Sequence, residues 1–145
     1  MLTGRAGAQL TGAIGMRAVP DDACVLAGAR DLDPLERALL DASAVRRIDD
    51  VAALASAALP PAPWYVHLDV DVIDPSELPA LRFPAPRGPS AHIVEGALRA
   101  LAARGTIAAL GLACTLAPQA FAGVDPLERI RPLIDAALGS SSNAR

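Results

Sequence analysis

Three closely spaced aspartates are the feature of this sequence most suggestive of chemistry. In WYVHLDVDVIDP (residues 64–75), Asp69 and Asp71 alternate with aliphatic residues, and Asp74 follows directly before a proline. Residues two apart on a strand point to the same side, so we expect Asp69 and Asp71 to share a face. Two adjacent buried carboxylates are costly unless a cation compensates them, and Mg²⁺, Mn²⁺ and Ca²⁺ prefer oxygen ligands. The pair therefore predicts a divalent cation site, and aspartates that cap backbone amides in a turn are the alternative.

Two neighbouring residues allow different interpretations. His67 lies two residues before Asp69 and shares its face if the strand is regular. A single histidine in an apolar strand is usually a hydrogen-bonded core residue, but this position also suits a ligand or a proton-transfer group. Asp74 is followed by Pro75, which is typical of a turn, so we predict a structural role for it.

Alternating apolar runs and helical segments position these residues. The runs predicted to be strands cover residues 23–28, 44–48, 64–70 and 107–116. Four helices are predicted, and they begin at Asp33-Pro34, at Asp49 or Asp50, at Ser90 and at Asp125-Pro126. The second should end at Pro60 and the third at Gly105, and Pro132 should bend or break the fourth.

This alternation, with strands that are apolar throughout, predicts an α/β fold of three layers, α/β/α, around a parallel sheet. Ligands of such sheets bind at the carboxyl ends of the strands, where most of the aspartates fall. We expect residues 1–138 to form one domain and residues 139–145 to be a disordered tail.

The composition narrows the classes of function. The chain has 145 residues, 52% of them hydrophobic, and a net charge of −3, which argues against a nucleic-acid partner. No apolar segment is long enough for a signal peptide or a membrane span, so we expect a cytoplasmic protein with no membrane partner. Cys24 and Cys114 lie in apolar runs and are expected to be reduced, buried thiols.

The segment YVHLDVDVIDPSELPALRFPAPRGPS resembles the arginase–agmatinase (ureohydrolase) family, whose pattern is approximately S-[FL]-D-[VIL]-D-x-[LV]-D-P followed by a Pro- and Gly-rich loop. VLAGARDLDPLERALL is similar to the family's I-G-[VIL]-R-x-[VIL]-D-P-x-E segment, and LGLACTLAP to its strand followed by E-[VLF]-N-P. The three matches occur in the family's order and cover nearly the whole chain. They indicate the carboxy-terminal half of a partial arginase-like fold.

The resemblance implies roles for individual residues. Asp69 and Asp71 match two ligands of a Mn²⁺ pair that activates water for attack on a guanidinium carbon, with release of urea. Asp33 matches a position that helps to hold the α-amino group of the substrate in arginases. Thr115 stands where the family has a Glu that pairs with the substrate guanidinium, and a hydroxyl cannot supply that charge-assisted contact.

The departures from the family pattern concern the rest of the site. The GG[DN]H, D-A-H-x-D and H-G segments, which carry four of the six metal ligands and a catalytic histidine, do not occur in this sequence. In the loop after the aspartates, Arg82, Phe83 and Arg87 replace small or neutral residues beside the expected site. His67 replaces a usual Ser.

Three hypotheses follow, and they share the fold and the family. The chain is part of a hydrolase of guanidines or amidines that is inactive until a complementary chain supplies the missing half. Alternatively, it is a degenerate, non-catalytic binding or assembly module, or the reading frame extends upstream of Met1. An exposed sheet edge would favour pairing with another chain, so a homo-oligomer is also expected.

Overall fold

The computed structural model of the chain describes residues 3, 8–78, 81–113 and 126–139. The helices along it are α1 (Ala8–Ala13), α2 (Pro34–Asp41), α3 (Ala91–Arg104) and α4 (Pro126–Leu138). The strands are β1 (Val25–Ala27), β2 (Arg46–Ile48), β3 (Trp64–Asp69) and β4 (Ile107–Ala113), and 3₁₀ turns cover Asp21–Ala23, Val51–Ala55 and Val70–Val72.

The strands pair in parallel, as the sequence predicts for an α/β fold. β1 pairs with β2, and β3 pairs with β4 with Leu68 opposite Leu112. Among the described residues these form two separate two-stranded sheets rather than one continuous sheet. Each strand lies within its predicted run, and β1, β2 and β3 are shorter than theirs, so these runs predicted the positions of the strands better than their ends. Residues 114–116 of the last run lie outside the described residues.

Two helices begin where their capping residues predict. The Asp33 side chain accepts hydrogen bonds from the backbone N–H groups of Leu35 and Glu36, and the Glu36 side chain accepts one from the backbone N–H of Asp33 in return. Ser90 caps α3 through the N–H of Ile93, and α3 ends at Gly105 as expected. These local interactions satisfy amide groups that the first turn of a helix leaves without partners.

The segment after Asp50 corrects a prediction. Instead of a helix reaching Pro60, the chain forms only the Val51–Ala55 3₁₀ turn, with Asp50 as its cap. Pro60 and the following proline have no N–H to donate to the carbonyls of the preceding turn. Instead, the Arg104 guanidinium donates hydrogen bonds to two carbonyl groups of this segment, to Leu54 O at 2.5 Å and to Ala57 O at 2.6 Å.

The predicted break of the last helix at Pro132 does not occur, because α4 continues through this residue to Leu138. Its predicted start at Asp125 and most of the predicted tail, residues 140–145, lie outside the described residues.

One face of the β3–β4 pair is packed and the other is open. Leu68 is buried, whereas Tyr65, His67 and Asp69, which alternate with it along β3, are exposed. The core joins β3 and the turn after it to α3 and α4, and it consists of Val51, Leu68, Val70, Ile73, Leu78, Leu81, Val94, Ala97, Leu98, Ile130, Leu133, Ala136 and Ala137. The hydrophobic core therefore holds the carboxyl end of β3 in a fixed position.

Two further predictions concern the burial of the cysteine thiols and the cytoplasmic location of the chain. The Cys24 thiol is half-buried and donates a hydrogen bond to Pro20 O at 3.4 Å, whereas Cys114 lies outside the described part of the chain. A search of the described residues found no helix that is long and apolar enough to cross a bilayer. The cytoplasmic location stays a prediction.

Candidate functional site

A small open cleft lies at the carboxyl end of β3. It has a volume of about 100 Å³ and is lined by Asp69, Asp71, Leu81 and Phe83. The two carboxylates singled out in the sequence thus meet at one site, at the end of a parallel strand where ligands of α/β sheets bind. Phe83, which replaces a small residue of the family loop, borders the same cleft, as the sequence suggested.

The chain brings the two aspartates together in a different way from the one predicted. β3 ends at Asp69, and Asp71 lies in the Val70–Val72 3₁₀ turn, so strand alternation does not place it. The Asp69 carboxylate accepts a hydrogen bond from the backbone N–H of Asp71 at 3.3 Å and caps this turn. Val70 and Ile73 on either side are fully buried, which directs the chain between them outward.

Arg30 holds this turn in place and was not assigned a role from the sequence. Its guanidinium donates to Val72 O at 2.7 Å, to Asp71 O at 2.8 Å and to Ala85 O at 2.9 Å. It therefore links the segment after β1 to the turn after β3 and to the loop that carries Phe83. The signal that could have revealed it is the arginine three residues after β1, which occupies the arginine position of the family's I-G-[VIL]-R pattern.

A glycine allows Arg30 to reach the turn. Gly28 follows β1 with φ of +65°, and a Cβ there would lie 2.6 Å from a Val51 methyl group and 3.0 Å from one of Val72. A larger residue would therefore be strained by both its backbone and its neighbours. This close approach brings the end of β1 against the turn that carries Asp71.

The environment of Asp71 disfavours its negative charge. Partial burial is the main cause that raises the pKa of Asp71 above 3.8, and the neighbouring Asp69 charge raises it further. The positive charge of Arg30 acts in the opposite direction but does not cancel the effect. A carboxylate pair of this kind is stabilised by an added cation.

Asp74 has a structural role in the next turn. Its carboxylate accepts hydrogen bonds from the Ser76 hydroxyl at 2.6 Å, the Ser76 N–H at 3.0 Å and the Gly88 N–H at 3.1 Å. These donors, the hydroxyl first, lower the pKa of Asp74 below 3.8. Asp74 thereby ties the turn after the cleft to the end of the loop that carries Phe83.

His67 and Asp33 do not line the cleft. His67 Nδ1 lies 3.4 Å from the Tyr65 hydroxyl on the open face of β3, and both side chains lie over Gly111 of β4. The Asp33 carboxylate bonds the first turn of α2, at 2.8 Å to Leu35 N and 2.9 Å to Glu36 N. Thr115, which with Asp33 was predicted to contact the substrate, lies outside the described residues.

The described residues of the cleft offer only some of the ligands that a divalent cation would need. Within the described ranges, no three His, Cys, Asp or Glu side chains are grouped so that they could hold a metal ion. Asp69 and Asp71 fit a hard cation in charge and in donor type, but Mn²⁺ needs more ligands than two carboxylates supply. Any further ligands would come from water or from a polypeptide segment outside the described residues.

Comparisons with known proteins agree with the resemblance seen in the sequence. The model of the arginase family matches residues 5–120 of the chain. An N(omega)-hydroxy-L-arginine amidinohydrolase from Streptomyces lavendulae is 42% identical over 59 residues, which are 39% of this chain and 22% of that protein.

Solved structures show the same fold. The arginase of Bacillus caldovelox matches with a TM-score of 0.78 and 17% identity over 97% of this chain and 51% of that one. The arginase of Bacillus cereus matches with a TM-score of 0.76 and 18% identity, over 98% and 53% of the two chains. This chain therefore spans about half the length of these arginases. From the family match over most of its length, we conclude that the chain belongs to the arginase family.

Proposed function

We propose that this chain contributes Asp69 and Asp71 to a Mn²⁺-dependent site that hydrolyses C–N bonds of guanidines or amidines, and that it is inactive alone. One observation carries the proposal: both carboxylates line a single cleft, yet the described residues group no third ligand with them. The match to about half of each solved arginase supports a source of the other ligands outside these 145 residues, either another part of a longer chain or a complementary chain.

The residues of this chain would hold and orient the cation. Asp69 and Asp71 supply negative charge, and Arg30 holds the Asp71 turn through its backbone carbonyls without occupying either carboxylate. When bound, Mn²⁺ supplies Lewis acidity and activates water for attack on the guanidine or amidine carbon. The same carboxylates attract a cationic substrate to the cleft.

The proposal also gives substrate contacts to Thr115 and Asp33, although the described part of the chain shows neither residue at the cleft. Thr115 would contact the substrate at the position of the family Glu, with a weaker hold on a guanidinium than a carboxylate provides. The Asp33 carboxylate caps α2 in the structure. It would contact the substrate only if it could do so while it also caps this helix.

A calorimetric Mn²⁺ titration tests the metal site. We expect weak binding by the chain alone, and binding at least about tenfold tighter when a histidine-bearing complementary half of an arginase-family chain is added, because more ligands then complete the coordination sphere. The mixture should release urea from a guanidine substrate, whereas the isolated chain should not.

The control for this titration removes the same charge elsewhere. Asp69→Asn/Asp71→Asn should abolish the Mn²⁺ heat, whereas Asp41→Asn/Asp49→Asn, which removes two exposed carboxylates outside the cleft, should preserve it. Circular dichroism verifies that both double variants fold. Equal Mn²⁺ affinity in the two double variants would refute the proposal.

A non-catalytic assembly module is the second candidate, and the open face of β3 favours it. Tyr65 is 54% exposed on this face, and both described two-stranded sheets have unpaired edges. A homo-oligomer formed through these surfaces should persist in Asp69→Asn/Asp71→Asn when measured by size exclusion with light scattering. A clean monomer at all concentrations would reject this candidate.

A further inference from the structure

The cleft is open, and its rim carries an exposed aromatic ring. Phe83 is 66% exposed there, whereas Leu81, two residues before it, is 6% exposed and belongs to the core. Asp69, which ends β3 at the same cleft, is exposed as well. A second protein molecule that approaches the mouth of the cleft can therefore contact both a carboxylate and the ring.

The loop that carries Phe83 is fixed in place before any partner arrives. Its Ala85 carbonyl accepts a hydrogen bond from Arg30 at 2.9 Å, and its Gly88 N–H donates one to the Asp74 carboxylate at 3.1 Å. A surface that is already ordered loses little conformational entropy on association. The rim is thus a preformed contact surface.

The charges at the mouth of the cleft are self-complementary. The guanidinium carbon of the exposed Arg82 lies 5.6 Å from the centroid of the Phe83 ring, within the range of a cation–π contact. The ion pairs found among the described residues do not include Arg82. Two copies of this surface carry four negative charges at Asp69 and Asp71 and two positive charges at Arg82. One divalent cation between the copies makes the whole neutral.

The number of ligands points in the same direction. Mn²⁺ binds about six oxygen atoms, whereas the described residues place two carboxylates at the cleft. We propose that a second copy of this chain supplies further ligands, so that one Mn²⁺ joins two copies through Asp69 and Asp71 of each. Phe83 and Arg82 of each rim then contact the other copy around the ion. The assignment of the two aspartates to the cation rests on the proposed function.

The small size of the rim makes the ion necessary for this contact. Two apolar side chains around a cleft of about 100 Å³ bury far less than the roughly 1,200 Å² at the lower end of stable interfaces. Four carboxylates without an ion would also repel one another. The copies should therefore associate only when Mn²⁺ is present. This dimer is a form of the isolated chain, in which the second copy takes the place of the segment that would otherwise supply those ligands.

Size exclusion with light scattering, together with calorimetry, tests the dimer. We expect a monomer in EDTA, a doubled mass on addition of MnCl₂, and one Mn²⁺ bound for every two chains. Asp69→Asn/Asp71→Asn should stay a monomer at every Mn²⁺ concentration, because the ion then has no carboxylates to join. Asp41→Asn/Asp49→Asn, which removes exposed carboxylates outside the cleft, should dimerise as the unaltered chain does.

Two rim variants test the contacts around the ion. Phe83→Ala should weaken dimerisation by about tenfold, because the ring loses its burial against the other copy. Arg82→Glu should weaken it at least as much, because two further negative charges then face the carboxylates. The matched controls are Leu35→Ala and Arg37→Gln, at exposed positions of α2, and they should leave the dimer unchanged. Rim variants that dimerise as these controls do would overturn the proposed contact.

Three results separate the dimer from the metal site itself. One Mn²⁺ per chain with an unchanged mass would mean that water completes the coordination sphere, which overturns the dimer and leaves the metal site standing. The absence of any Mn²⁺ heat that depends on Asp69 and Asp71 would overturn both. A dimer that persists in EDTA or in Asp69→Asn/Asp71→Asn would overturn the Mn²⁺-joined dimer and point to the open face of β3 instead.

Discussion

Asp71 and Asp74 are three residues apart, but their surroundings act on them in opposite directions. Asp74 accepts hydrogen bonds from Ser76 and Gly88, and these donors lower its pKa. Asp71 lies beside Asp69 in the cleft, where burial and like charge raise its pKa. The difference separates a carboxylate whose charge is satisfied by donors of the fold from one whose charge the fold disfavours.

The comparison extends to the other aspartates of interest. Asp33 resembles Asp74, because backbone amides at the start of α2 satisfy its charge. Asp69 accepts a long hydrogen bond from the N–H of Asp71, at 3.3 Å, and lines the cleft. A carboxylate that lacks strong donors within its own fold gains most from an external cation.

The largest expected effect comes from releasing the turn that carries Asp71. Arg30→Ala should lower the free energy of unfolding by about 3 kcal/mol, because three partly buried carbonyls lose a charged donor. Urea denaturation measures the change. Arg30→Lys should recover only part of it, because an ammonium group cannot reproduce the planar fork of a guanidinium.

A second arginine provides the control for Arg30. Arg47→Ala removes an exposed ion pair with Asp41 and should change the free energy of unfolding by less than about 1 kcal/mol. Equal effects of the two substitutions would mean that Arg30 does not organise the cleft as its contacts indicate.

An intermediate effect is expected at the capping carboxylate Asp33. Asp33→Ala should destabilise the chain by about 1 kcal/mol, because the first turn of α2 loses its cap. Asp33→Asn should be nearly neutral in thermal denaturation, because asparagine caps as well as aspartate. A large loss of stability in Asp33→Asn would show that the charge, rather than the cap, matters there.

The smallest effects are expected from single carboxylates, and they have opposite signs. In buffer with a chelator, Asp71→Asn should be more stable than the unaltered chain at neutral pH, because the raised pKa makes the Asp71 charge unfavourable to folding. This advantage should shrink as the pH falls through the raised pKa, and it should vanish below 3.8, where Asp71 is protonated in both the folded and unfolded states.

Asp74→Asn should be less stable than the unaltered chain above pH 3.8, because a lowered pKa stabilises the charged form in the folded state. That deficit should disappear as the pH falls from 3.8 through the pKa of folded Asp74. Denaturation curves at a series of pH values check both variants. Changes in the free energy of unfolding that have the same sign in Asp71→Asn and Asp74→Asn would contradict the contrast between the two aspartates.

Local patterns in the sequence predicted the positions of the strands, the caps at Asp33 and Ser90, and the turn at Asp74. Each depends on residues within a few positions, so propensity and hydrogen-bonding capacity are enough to predict it. Asp69 and Asp71 do line one cleft, but the strand alternation from which we expected this was wrong for Asp71, because β3 ends at Asp69.

The sequence by itself determined the family, the alternation of strand and helix, and the carboxylates available for chemistry. Only the tertiary structure decided that Arg30 holds the Asp71 turn, that His67 lies over Gly111 away from the cleft, and that Phe83 borders it. These outcomes depend on contacts between segments that are distant in the sequence. Arg30 and Asp71, for example, are more than 40 residues apart. Local propensity carries no information about such contacts, because packing and long-range hydrogen bonds decide them.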